Sequence, residues 1–200
     1  MHRHTTTGWL LGIAAVLLST TATVSVAFAG AAHIRWDIIS FNPPVDFTLD
    51  PGGVAAALAN DGSQITFTGS GTFVAPAGGG GTSSAVTGGG TWATSGPIGV
   101  DSGTYTVTGL VRWEEAPGTL PSPPIIDDIG NAADARAGLV VLRIAYSDGS
   151  RGILVVSCHL VGTPDTVFEG VTASKGFVDF WNRVPPVDGV DANRTVFQLQ

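Results

Sequence analysis

Residues 139–161 read LVVLRIAYSDGSRGILVVSCHLV, and this stretch decides the fold class. Two apolar runs, 139–146 and 151–161, flank Ser147-Asp148-Gly149-Ser150. Asp before Gly tolerates the positive φ of a tight turn, so the segment predicts a β-hairpin. Both runs are apolar on both faces, which predicts a central place in a sheet or barrel.

Outward from the hairpin, period-2 alternation and turn residues recur, and no helical stripe follows residue 30. Strands are expected over 33–41, 54–59, 64–74, 91–94, 103–113, 166–173, 177–181 and 194–199. Asn42-Pro43-Pro44, Asn60-Asp61-Gly62, Ser174-Lys175-Gly176 and Asp188-Gly189 punctuate them. In 103–113, Tyr105, Val107, Val111 and Trp113 fall on one face, with Thr104, Thr106 and Thr108 opposite. The expectation is an all-β chain: one antiparallel β-barrel or β-sandwich of about eight to ten strands, spanning residues 30–200. Two interruptions read as mobile loops. One is the Gly/Ser/Thr-rich stretch at about 75–90; the other, at about 114–137, carries four prolines and two acidic pairs.

Residues 1–29 read as a cleaved signal peptide. Arg3 precedes the apolar run 10–18, and Ala27-Phe28-Ala29 offers the small side chains of a cleavage site between Ala29 and Gly30. The localisation this implies is secreted, with a membrane tether by an uncleaved N-terminal segment as the alternative.

Nine basic residues face sixteen acidic ones, and charged residues make up 12% of the chain, against ~25% ordinarily. Lys175 is the one lysine. A sparse scatter of arginines on an acidic domain offers no track for phosphates, so nucleic acid is not an expected partner, nor is stable membrane association after cleavage. The single cysteine, Cys158, precludes an internal disulfide and reads as a small buried hydrophobe beside Leu154, Val156 and Leu160. Cys158 and His159 are strand neighbours pointing to opposite faces, which opposes a thiol–imidazole dyad. Of the five tryptophans, Trp36, Trp92, Trp113 and Trp181 read mainly as core anchors.

Three polar residues interrupt apolar strand faces: Arg143, His159 and Glu169. Buried charges pair or line a polar cavity. They therefore form a structural Arg143–Glu169 pair, lie on strands with one exposed face, or line a lumen site able to orient a ligand or exchange protons. Asp188, Asp191 and Asn193 supply three oxygens in six residues, a weak candidate metal loop whose spacing is not that of an EF-hand. Asn193-Arg194-Thr195 fits the N-glycosylation pattern. No GxSxG, HExxH, CxxC or phosphate-loop motif occurs, so no cofactor is expected. Phe168-Glu169-Gly170 resembles a motif of the allene oxide cyclase and dirigent barrels; it covers three residues and carries no function over.

The leading functional expectation is a secreted, non-catalytic β domain that binds a small apolar ligand or a cell-surface component. The alternatives are a barrel enzyme of isomerase or cyclase type with a polar lumen, and a structural or surface-interaction protein.

Overall fold

A computed structural model describes Met1, residues 31–75 and residues 85–200. The expected signal peptide and its Ala29–Gly30 cleavage site lie outside the described residues. Within them the chain is all-β, and the central hairpin forms as read. Strand β9 (Ala135–Tyr146) pairs with β10 (Arg151–Cys158), turning at Gly149 with φ +89°.

A ring of hydrogen-bonded neighbours closes around β9. It runs through β14 (Arg194–Leu199), β1 (Ala32–Ser40), β5 (Ser70–Ala75), β6 (Val86–Ser95) and β7 (Asp101–Ala116), then back to β9, every pair antiparallel. The barrel alternative is therefore the one the chain adopts. Two wings extend it. β10, β11 (Gly170–Lys175) and β12 (Val178–Phe180) continue from β9, while β4 (Gln64–Phe67), β3 (Ala55–Leu58) and β13 (Asn182–Arg183) continue from β6. With β2 (Thr48–Pro51) and β8 (Ile126–Asp127), fourteen strands stand among the described residues, more than the eight to ten expected. The excess comes from the short β2, β8 and β13, which fall outside every expected run, and from one run split by a bend. Residues 64–74 are broken at Gly69, with φ +144°, into β4 and β5.

The wings branch where one strand edge changes partner, and glycine makes the change possible. β9 pairs with β14 at Ala135 and Arg136, then with β10 from Gly138 onward. A Cβ on Gly138 would lie 2.3 Å from the Glu114 carbonyl oxygen. β6 pairs with β5 up to Gly89 and with β4 from Trp92. Between them, a Cβ on Gly90 would lie 2.0 Å from the Thr68 carbonyl oxygen. The Gly-rich segment is thus not all loop. Ala75 closes β5, Val86 opens β6, and residues 76–84 lie outside the described residues.

The second expected loop is also partly ordered. Glu114–Ala116 end β7, Ala135 opens β9, and β8 pairs in parallel with β2. Asp127 accepts a hydrogen bond from Gln198 Nε2 at 2.5 Å, and Thr119 N–H donates to the Val161 carbonyl at 2.9 Å. These contacts hold the Pro-rich segment against β14 and the chain leaving β10.

The barrel interior is filled. Trp36, Phe73 and Phe197 are buried, and the half-buried Trp113 packs on the last two at 5.1 and 4.7 Å between ring centroids. Farther along, Phe67 meets Tyr105 at 5.4 Å and Trp92 meets Tyr146 at 5.5 Å, both edge to face. The two phenols keep hydrogen bonds, to the Thr68 and Ser174 carbonyls. Trp181, by contrast, is exposed. β7 carries register shifts at Val107/Gly109 and Leu110/Arg112. Each bulge flips the inward parity, so Leu110 rather than Val111 is buried. The hairpin is less enclosed than its apolar faces predict. Val140, Leu142 and Ile144 are buried, while Leu139, Val141 and Arg143 on the other face are half-buried. No helix among the described residues is long and apolar enough to cross a membrane.

Candidate functional site

Glu169 lies on the connection after β10, one residue before β11. Gly170, with φ +111°, turns the chain there. Ser157 Oγ donates to the Phe168 carbonyl at 2.7 Å and fixes the approach. The Glu169 carboxyl group is directed back at two strand ends. Oε2 accepts the His159 N–H at 2.5 Å, and Oε1 accepts the Thr195 N–H at 2.6 Å and its hydroxyl at 3.3 Å. Thr195 Oγ1 also reaches the Ser157 carbonyl at 2.7 Å, tying β14 to β10.

The His159 ring is oriented by Val167, whose carbonyl oxygen lies 2.8 Å from Nδ1. A carbonyl only accepts, so Nδ1 carries a proton and donates to it. Arg194 completes the group. Its Nη2 donates to Asp188 at 3.3 Å, its guanidinium stands 5.4 Å from the Phe41 ring centre, and its buried Nε has no hydrogen-bond partner.

His159, Glu169, Arg194 and Thr195 line one cavity of about 50 Å³. Its apolar walls are Ile39, Phe41, Leu49, Leu120 and Leu160. Ile39 and Arg194 are register partners on the β1–β14 face opposite Trp36 and Phe197, so the cavity is outside the filled barrel. β2 and the Pro-rich segment cover it, through Leu49 and Leu120 respectively.

Burial pushes the Glu169 carboxyl up to about 8, against the pull of the His159 and Thr195 donors and the Arg194 charge. At neutral pH this group is mostly protonated. Near it, burial in the core raises the Cys158 thiol, and the Glu169 charge raises it further. Cys158 is fully buried on the face of Leu154 and Val156, with no route to an imidazole partner role.

Of the three polar residues singled out by pattern, two meet. His159 and Glu169 share the cavity, whereas Arg143 lines a separate groove of about 280 Å³ with Thr108, Arg151 and Ser174. Glu169 takes its hydrogen bonds from His159 and Thr195, not from Arg143, so neither a lumen triad nor an Arg143–Glu169 pair describes the site. Arg194 and Thr195 are the members that the pattern missed; the sequence shows them in the last expected strand and in a glycosylation motif, with nothing to mark them as site residues. Asn193 of that motif is buried at φ 62°, and its Oδ1 accepts the Ala56 N–H at 2.7 Å, so the side chain is used within the fold.

The acidic loop is used structurally as well. Asp191 accepts Ser40 Oγ at 2.6 Å and Phe41 N–H at 2.8 Å, while Asp188 faces Arg194. The oxygens of Asp188, Asp191 and Asn193 thus serve four different residues, Arg194, Ser40, Phe41 and Ala56. Among the described residues no three His, Cys, Asp or Glu side chains gather as a metal site. No family model, curated protein or solved structure matches the chain.

Proposed function

We propose that the chain is an exported, non-catalytic β-barrel that binds a small, largely apolar ligand or a surface component, with the His159–Glu169–Arg194 cavity as its recognition site. The observation that carries this reading is that three polar residues line one apolar-walled cavity, on the outer side of a barrel whose interior is filled by apolar side chains. Ligand sites combine apolar walls with a few oriented polar groups in this way. Thermal unfolding with a panel of small amphiphiles tests it. A ligand at a hundred times its Kd adds about 2.7 kcal/mol, which raises Tm by about 5–10 °C. A panel that leaves Tm unmoved, on a protein that also carries no extractable ligand when purified, overturns it. For export, the intact mass of protein recovered outside the cell should correspond to a chain starting at Gly30.

A second reading, an isomerase- or cyclase-type enzyme, draws support from one fact: a carboxyl protonated near neutral pH lines the same cavity as an imidazole whose Nδ1 is held by the Val167 carbonyl. Its test is Glu169→Gln in a turnover assay on any co-purifying compound. Unchanged turnover removes Glu169 as acid or base.

A further inference from the structure

We propose that the cavity receives a small monocarboxylate, a chemical class that follows if the cavity is the binding site. Arg194 lines it and holds a buried Nε–H that nothing accepts. Leaving a buried donor unpaired is costly, and a ligand oxygen would satisfy it. The one carboxylate on this guanidinium, Asp188, is 84% exposed and bonds from the solvent side, whereas the Arg194 side chain is 15% exposed. The Arg194 charge toward the cavity is therefore only weakly offset.

Glu169 does not offset it either. Its oxygens accept from the His159 and Thr195 donors, and a carboxyl that keeps its proton leaves the arginine as the net charge of the site. The charge balance calls for one anion. Size calls for a short one: at 10–15 Å³ per water-sized occupant, about 50 Å³ holds roughly three to five non-hydrogen atoms, the range of acetate and propionate. The apolar walls, Phe41 and Leu160 among them, suit an alkyl end and not a hydrated inorganic ion.

The pH dependence follows from the groups around the cavity. Glu169 faces Arg194, the His159 backbone N–H, the Thr195 N–H and hydroxyl, and the Cys158 thiol behind it, and the His159 residue lines the same cavity. Once Glu169 ionises, a second carboxylate in the cavity meets a like charge, so affinity falls as pH rises through 8.

Amide NMR on the full chain at pH 6.5 reads the site directly, through the His159 and Thr195 N–H groups that Glu169 holds. The probes are acetate, propionate, propanamide and inorganic phosphate. Propionate is expected to shift both amides and saturate, with propanamide and phosphate at least tenfold weaker. Arg194→Gln and the charge-keeping Arg194→Lys should each weaken propionate about tenfold or more. Propanamide binding as tightly as propionate at these amides overturns the carboxylate and leaves the cavity as a binding site. Failure of all four probes to shift either amide overturns both. The comparison among probes on the unaltered protein stands even if a variant folds poorly.

Discussion

A carboxyl group that accepts hydrogen bonds from two backbone N–H groups and a hydroxyl would be strongly acidic in water, yet burial outweighs those donors at Glu169. The consequence is a stability that depends on pH in an unusual direction. The folded value of about 8 is raised above the ordinary 4.5. The folded state therefore holds the proton more tightly, and that contribution is complete below ~4.5 and lost as pH climbs through 8. Urea midpoints should fall between pH 5 and 8.5, by an amount corresponding to a few kcal/mol at most. Glu169→Gln should flatten this slope. It should also lower stability at pH 5 by about 1–3 kcal/mol, because its NH₂ must face either the His159 or the Thr195 N–H. A flat profile for the unaltered protein refutes the assignment. Asn193→Ala should likewise cost about 1–3 kcal/mol in urea, since the Ala56 N–H loses its acceptor; Asn193→Gly, free of strain at φ 62°, should recover only part of that. At this scale the sequence was half legible. Polar residues set in apolar runs flagged His159 and Glu169, but Arg194 joins them only through the β1–β14 register, which no local pattern encodes.

Glycine separates two kinds of element here. Gly149 closes a two-sided hairpin in open space, with nothing within 4 Å of its absent Cβ, whereas Gly90 lies in a strand against the Thr68 backbone. Gly149→Ala should therefore cost about 1 kcal/mol, the strain of a positive φ. Gly90→Ala must push two strands apart and should cost about 3 kcal/mol or more. Equal unfolding midpoints for the two variants would show that β6 does not change partner at a close contact. The contrast also explains what could be read locally. The hairpin at 147–150 is written in adjacent residues: a turn signal between two β-rich runs. The strand at 86–90 is written in a contact with residues about twenty positions away, so composition alone makes it look like a linker. The Pro-rich segment misleads for a similar reason, being held by Gln198 and Val161 and not by its own sequence.

For the whole molecule, the question is what stabilises a barrel that has one cysteine and hence no internal disulfide. The answer is a continuous apolar interior reaching from Trp36 and Phe197 to Phe67, Trp92 and Tyr146, extended into the β10 wing by Leu154, Val156 and Cys158. Lys175 closes the far end, its ammonium 4.3 Å from the Trp92 ring centre while paired with Asp148. If ring and wings share one core, they should open together and not in stages. Cys158 reports on this, because its thiol is fully buried, and is raised further from reactivity by its surroundings. Labelling with a thiol reagent should then require global opening. Its rate should follow the unfolding free energy as urea rises, with the same slope that tryptophan fluorescence gives. Fast, urea-independent labelling in native buffer would mean that the β10–β11 wing opens alone. In that case the loop carrying Glu169 would belong to the weaker part of the molecule, and the cavity would be a site formed and lost with that wing.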